Sequence, residues 1–113
     1  MKAPIFLFSA VAVLAATAVQ AQTAGDAAAG REKNQMCIGC HGIQGWRTAY
    51  PEVYHVPMIA GQHPAYLVKA LQAYKTGERA HPTMRAIASS LSDADMANLA
   101  AYYGSASTTV AAK

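Results

Sequence analysis

The chain has 113 residues, of which 53% are hydrophobic and 13% are charged, and its formal net charge is +3 at pH 7. This composition excludes a disordered chain, and two cysteines are too few for a disulfide-dense miniprotein. The charge is weak and no run of Lys or Arg tracks a phosphate backbone, so nucleic-acid binding is not expected.

Residues Met1–Ala21 are predicted to be a cleaved secretory signal peptide. Lys2 supplies a positive start, and an uncharged apolar run leads to a small-residue cleavage site at Ala21. The alternative is a retained membrane anchor, but the run is about fifteen residues long, shorter than the roughly 20 of a spanning helix. We expect an exported protein with one domain over residues 22–113 and a folded core over about 25–104.

The exported part is predicted to begin with a helix, a turn and a long loop. The helix covers Gly25–Met36, with Asp26 near its N-terminus, where a negative charge suits the helix dipole. A tight turn over Cys37–His41 follows. Residues 42–62 contain several glycines and prolines and are predicted to be a loop without a β-strand.

Two further long helices are predicted in the second half, which gives an all-α fold. Proline is tolerated at the first helical position and glycine ends helices, so Pro64 and Gly77 bound the first of them. A short helical turn is expected over about Met84–Ser90. Ser92 then opens a capping-box-like sequence for the last helix, and Gly104 is expected to end it.

The sequence Cys37-Ile38-Gly39-Cys40-His41 is a Cys-x-x-Cys-His motif, which is typical of covalent haem attachment. Two thiols at i and i+3 on a helical turn can each form a thioether with one vinyl group of haem. The histidine that follows can then bind the iron. A haem would also supply an apolar centre to a domain too small to bury a large core by itself.

Three other roles for the Cys37–Cys40 pair remain open. A thioredoxin-like dithiol normally lies in a βαβ unit, which this sequence does not predict. Half of a zinc site would need two more ligands, and there is no second cysteine pair. A simple structural disulfide is the third alternative.

Short stretches over nearly all of residues 25–104 match one known family. They are Gly25–Gly30, Cys37–Gly42, Pro57–Gln62, Tyr66-Leu67, Gly77–Arg79, Met84, Leu91-Ser92 and Leu99–Tyr102. On these residues the chain resembles the class I c-type cytochromes, specifically the small bacterial monohaem type related to the dihaem periplasmic cytochromes. The resemblance implies a cytochrome c fold, in which the N- and C-terminal helices cross at Gly30 around a covalently bound haem c, and a periplasmic location.

The resemblance also implies the iron ligands and their surroundings. His41 and Met84 would bind the iron, and the Pro57 carbonyl would accept a hydrogen bond from His41. Met58 and His81 remain open as alternatives to Met84. Candidate donors to the haem propionates are Trp46, Arg47, Tyr54, Gln62 and Arg79.

An iron with histidine and methionine on its two axial sites has no open position for a substrate, which favours electron transfer over catalysis. We expect a periplasmic one-electron carrier, not an enzyme, that is a monomer and exchanges electrons with redox proteins, including membrane-bound respiratory complexes. No small-molecule substrate is expected. The alternatives are a subunit dedicated to one dehydrogenase or oxidase, a haem sensor or peroxidase-like protein with an open iron site, and a thiol–disulfide redox protein.

Basic residues near the Met84 segment suggest where a redox partner docks. Four of them are Lys69, Lys75, Arg79 and Arg85. They could surround an exposed haem edge and attract an acidic partner. The alternative is an ordinary solvated helix face.

Overall fold

The computed structural model describes residues 24–50 and 53–106. The predicted signal peptide and the end of the chain from residue 107 lie outside the described residues. The described elements are α1 (Ala27–Lys33), α2 (Gln35–His41), β1 (Arg47–Thr48), β2 (Tyr54–His55), α3 (Pro64–Thr76), α4 (Pro82–Ser89) and α5 (Asp93–Ser105). No helix within residues 24–50 and 53–106 is long and apolar enough to cross a membrane.

The first predicted helix is two helices, α1 and α2. The Asp26 carboxylate caps α1 by accepting the backbone N–H of Ala28 at 2.8 Å. At the buried Asn34 the helix breaks, and the Asn34 carbonyl accepts from the N–H of Cys37 at 2.7 Å. The tight turn predicted for Cys37–His41 is therefore wrong, because these residues form most of the new helix α2.

The loop predicted over residues 42–62 contains a short antiparallel hairpin. Strand β1 pairs with β2 so that Arg47 lies opposite His55 and Thr48 opposite Tyr54. The prediction of no β-structure is therefore wrong at these positions. A two-residue strand is too short to show the alternation of apolar and polar residues by which strands are detected.

Helix α3 begins at Pro64 and ends before Gly77, as predicted. Gly77 has a φ of 84°, in the left-handed region that glycine adopts without steric cost, and its N–H donates to the Tyr74 carbonyl at 3.2 Å. Helix α4 begins at Pro82, two residues earlier than predicted, because Pro82 takes the first helical position and His81 caps it.

Helix α5 begins with the predicted capping box. The Ser92 hydroxyl accepts from the Asp95 N–H at 3.1 Å, and the Asp95 carboxylate accepts from the Ser92 N–H at 3.0 Å. The predicted end at Gly104 is wrong, since the helix continues to Ser105. Gly104 instead lies where α5 meets the start of α3, and a side chain there would overlap the Pro64 ring.

The core lies where α5 crosses α1 and packs against α3. A Cβ on Gly30 would overlap the Asn98 carbonyl and crowd the Tyr102 side chain, so only glycine allows α1 to approach α5 this closely. The buried apolar cluster comprises Ala60, Leu67, Leu91, Met96, Leu99, Ala100 and Tyr103. The mainly helical architecture and the crossed terminal helices confirm the predicted all-α class.

We predict that Gly30→Ala destabilises the folded protein by about 1–3 kcal/mol, since the added methyl group overpacks the α1–α5 contact. Gly39→Ala is the matched control, because Gly39 is also helical but a Cβ there meets no atom within 4 Å. Denaturant unfolding of the haem-loaded proteins measures both. Equal stability of the two variants would contradict the close approach at Gly30.

Candidate cofactor site

A cavity of about 460 Å³ lies between α2, the hairpin, α3, α4 and α5. Its size is within the range of cofactor pockets, and most of its lining surface is apolar. The residues that supply the apolar part include Val56, Ile59, Leu67, Ala70, Leu71, Ile87, Leu99 and Ala100. Such a lining excludes water from whatever fills the cavity.

Helix α2 brings Cys37, Cys40 and His41 to one wall of this cavity. Residues at i and i+3 lie on the same face of a helix, so the two thiols share a side, and His41 follows at the end of the helix. Cys37 also packs against the buried cluster. The break at Asn34 matters here because it starts a separate helix, α2, just before the first thiol.

The two nitrogens of His41 have different roles. Nδ1 lies 2.7 Å from the Pro57 carbonyl oxygen. A carbonyl can only accept a hydrogen bond, so Nδ1 carries the proton and donates it, and Nε2 retains a free lone pair. The contact expected between these two residues is therefore present, and it leaves His41 with the nitrogen that a metal needs.

The Cys37 thiol lacks the feature that a reactive redox cysteine needs. Cys37 and Cys40 are both free cysteines. Burial raises the pKa of the Cys37 thiol above its ordinary value of 9.0, so as a free thiol it would hold few thiolate ions at neutral pH. Reactive cysteines instead have lowered pKa values. Among the described residues, no group of three or more His, Cys, Asp or Glu side chains could hold a metal ion, so a zinc site gains no support.

The methionines differ in whether they line the cavity. Met84 lines the cavity from the first turn of α4. Met96 is fully buried in the core cluster, and neither Met96 nor Met58 lines the cavity. Met36 also lines the cavity, but it stands next to Cys37 on the same helix. The other alternative ligand, His81, lines the cavity beside Met84.

Of the five candidate propionate donors, only Tyr54 and Arg79 line the cavity. The Arg47 guanidinium donates instead to His55 Nε2, at 2.8 Å from Nε. The Gln62 side chain accepts from the His63 N–H. Trp46 is 41% exposed outside the cavity wall.

Two tyrosines that the sequence analysis did not single out for the site also line the cavity near Arg79. The Arg79 guanidinium lies 4.9 Å from the centre of the Tyr74 ring, and its Nη1 is 3.4 Å from the Tyr66 hydroxyl. Tyr74 lies on the same face of α3 as Leu67 and Leu71, and the wall of a cofactor cavity has the same apolar periodicity in a sequence as a protein core. No pattern marked Tyr66 as a wall residue.

Tyr103 contributes a buried hydroxyl to the cavity wall. The residue is 4% exposed, and its hydroxyl has no hydrogen-bond partner among the described residues. Burial raises its pKa, with smaller contributions from Cys37 and Tyr102. A buried hydroxyl without a partner is costly, so this atom indicates that the cavity takes a group with polar as well as apolar edges.

The donor set fits a covalently attached haem. One wall of the apolar cavity carries two thiols and an imidazole with a free Nε2 lone pair, and α4 adds a thioether. Thiols can form thioethers, while imidazole and thioether are the axial donors of cytochromes c. Tyr54, Arg79 and the Tyr103 hydroxyl supply polar groups at the edges.

Comparisons with known proteins agree with this chemistry. The family model described as cytochrome c matches residues 27–107. Cytochrome c-554(548) from Halomonas halodenitrificans is 42% identical over 85 residues, which cover 73% of this chain and 98% of that protein. Cytochromes c4 from Pseudomonas aeruginosa and Thiocapsa roseopersicina are 41% and 42% identical over 85 and 80 residues.

The two cytochromes c4 are much longer than the region they share with this chain. The matches cover 75% and 70% of this chain but 40% and 39% of those proteins. The chain thus spans about two fifths of their length, whereas it spans almost all of the Halomonas protein. The family match over residues 27–107 also accounts for the Cys37-x-x-Cys40-His41 spacing, since its members carry covalent haem c. The chain belongs to the cytochrome c family, which confirms its resemblance to the class I c-type cytochromes.

Proposed function

We propose that this protein is an exported, periplasmic one-electron carrier whose haem iron is bound by His41 and Met84. Family membership makes it a haem c electron carrier, not an enzyme. The ligand pair rests on one observation above all: His41 with a free Nε2 and the Met84 thioether line the same cavity. The periplasmic location rests on the signal-like sequence of residues 1–21.

His41 is held as a ligand by the Pro57 carbonyl. The hydrogen bond fixes which nitrogen carries the proton, orients the ring and makes Nε2 a stronger electron donor. Because the acceptor is a backbone atom, no side-chain rotation in the loop can release it. The ligand geometry therefore changes little when the charge of the site changes.

Met84 supplies a neutral, soft sulfur atom. Bound haem provides a one-electron couple, and thioether ligation raises its reduction potential. If His41 and Met84 both hold the iron, they would leave no position on it for a substrate. The apolar cavity wall also raises the reduction potential, since low polarity disfavours the additional charge of the oxidised state.

The partner surface is proposed on the face formed by α3 and α4. Residues 64–89 carry four basic side chains and a single acidic one, Glu78. Lys69 and Arg85 are exposed. Lys75 has a structural role as well, because its Nζ donates to the Leu91 carbonyl at 2.5 Å. A positively charged face beside the cavity favours an acidic redox partner.

Loss of the sulfur ligand tests the ligand pair. In the haem-loaded protein, we predict that Met84→Ala abolishes the weak near-red absorption band of sulfur-ligated ferric iron and lets the reduced protein bind carbon monoxide at neutral pH. Met58→Ala is the control and should keep the band, because Met58 lies outside the cavity wall. Carbon monoxide binding by the unsubstituted protein would instead support an open-site sensor.

Removal of single thiols tests the attachment. Each of Cys37→Ala and Cys40→Ala should leave haem held by one thioether, and the double variant should lose all haem on denaturation in acidified organic solvent. Mass spectrometry of the denatured proteins measures this directly. Haem retained by the double variant would show that these two sulfurs are not the attachment points.

Charge reversal tests the docking face with two small oxidants. We expect Lys69→Glu with Arg85→Glu to slow oxidation by hexacyanoferrate(III) several-fold at low salt, and to speed oxidation by a cationic cobalt(III) tris-phenanthroline complex. Both effects should fade at 1 M salt, where the screening length is about 3 Å. Arg31→Glu on α1 is the control. Equal responses from Arg31 and the α3–α4 pair would remove the case for a distinct docking face.

A further inference from the structure

His81 occupies a defined position beside Met84. It is the N-cap of α4, with Pro82 at the first helical position, and its Nδ1 accepts the backbone N–H of Met84 at 3.2 Å. The first N–H groups of a helix have no partner within the helix. The His81 ring therefore satisfies the amide of the same residue whose sulfur is proposed to bind iron.

This hydrogen bond also fixes the proton on the other nitrogen of His81. Since Nδ1 accepts, the neutral ring carries its proton on Nε2 and has no second lone pair for a metal. His41 has the opposite arrangement, because its Nδ1 donates to the Pro57 carbonyl. Of these two histidines on the cavity wall, only His41 offers a free Nε2.

The His81 ring is packed between the hairpin and α3. Its centre lies 4.8 Å from the Tyr54 ring, tilted by 49°, and 6.2 Å from the Tyr74 ring in an edge-to-face arrangement. Arg79 in turn covers Tyr74 at 4.9 Å. Contacts on two sides limit rotation of the imidazole, so the cap on α4 is held by the tertiary structure and not by local sequence alone.

We propose that His81 is a positioning residue for Met84 and not an iron ligand. By capping α4, it keeps the first turn of the helix formed and so holds the Met84 side chain toward the cavity. This inference rests on the proposed His41–Met84 ligation. His81, which the sequence left open as an alternative iron ligand to Met84, then has a supporting role instead.

The chain offers both a rescue variant and a matched control. Asparagine is a good N-cap, so His81→Asn keeps an acceptor for the Met84 N–H but removes the imidazole. His63 is the control, because it precedes Pro64 at the start of α3 in the same way, yet its side chain makes no capping hydrogen bond. If the loss of any histidine before a helix-starting proline were enough to disturb the protein, substitution of His63 and of His81 would have equal effects.

The experiment uses the haem-loaded protein and two readouts, the near-red sulfur band of the ferric state and carbon monoxide binding by the reduced state. Loss of an N-cap lowers helix stability enough to shift a local equilibrium about fivefold. His81→Ala should therefore raise the carbon monoxide-accessible fraction about fivefold and weaken the band. His81→Asn should stay within twofold of the unsubstituted protein, and His63→Ala should match it.

Two results would overturn the proposal. If His81→Ala and His81→Asn both bind carbon monoxide fully, the imidazole itself is a ligand; if His81→Ala behaves as the unsubstituted protein, the cap does not position Met84. Met84→Ala is measured in parallel, so that a failure of the His41–Met84 ligand pair can be distinguished from a failure of the positioning role of His81. A band that survives Met84→Ala contradicts the ligand pair and the positioning role together, whereas loss of the band there with no effect at His81 contradicts only the positioning role.

Discussion

The hydrogen bond from His41 Nδ1 to the Pro57 carbonyl is the constraint on which the site depends. It joins the end of α2 to the loop before α3 at 2.7 Å, and it leaves Nε2 as the nitrogen of His41 that keeps a free lone pair. The two thiols precede His41 on the same short helix, so the expected attachment points and the proposed iron ligand are oriented as one unit. A rigid unit of this kind suits an electron carrier, because electron transfer is fastest when the iron ligands change position little between the oxidised and reduced states.

The rest of the fold holds that unit against the cavity. Helix α1 can approach α5 only because Gly30 has no side chain to meet the Asn98 carbonyl. The same packing sets Cys37 against the core cluster and places Tyr103 in the cavity wall. The small protein core thus continues into the wall of the cofactor site, which explains why a domain of this size is built around a haem.

Local signals predicted the elements whose ends are set by nearby residues. Pro64 and Gly77 bound α3, and the Ser92 capping box starts α5, because proline, glycine and hydroxyl caps act within one turn. The sequence did not predict the helix break at Asn34 or the hairpin at Arg47. Asn34 is buried, so the tertiary structure decides its surroundings, and two-residue strands are too short to show an alternating pattern. The same limit applies to the site. The motif indicated the haem-binding residues, but the loop pairs Arg47 with His55 and Gln62 with the His63 N–H, and neither Arg47 nor Gln62 lines the cavity.

His41 and His81 both line the cavity, and the different hydrogen bonds of their Nδ1 atoms support the proposed assignment of the Met84 sulfur to the iron. Proton–carbon NMR of the reduced, haem-loaded protein with labelled methionine methyl groups tests that assignment most directly. A methyl group bound over the porphyrin face shifts far upfield, and we expect this shift for Met84 and for no other methionine. An ordinary Met84 resonance, or an upfield shift that belongs to Met58, would contradict it.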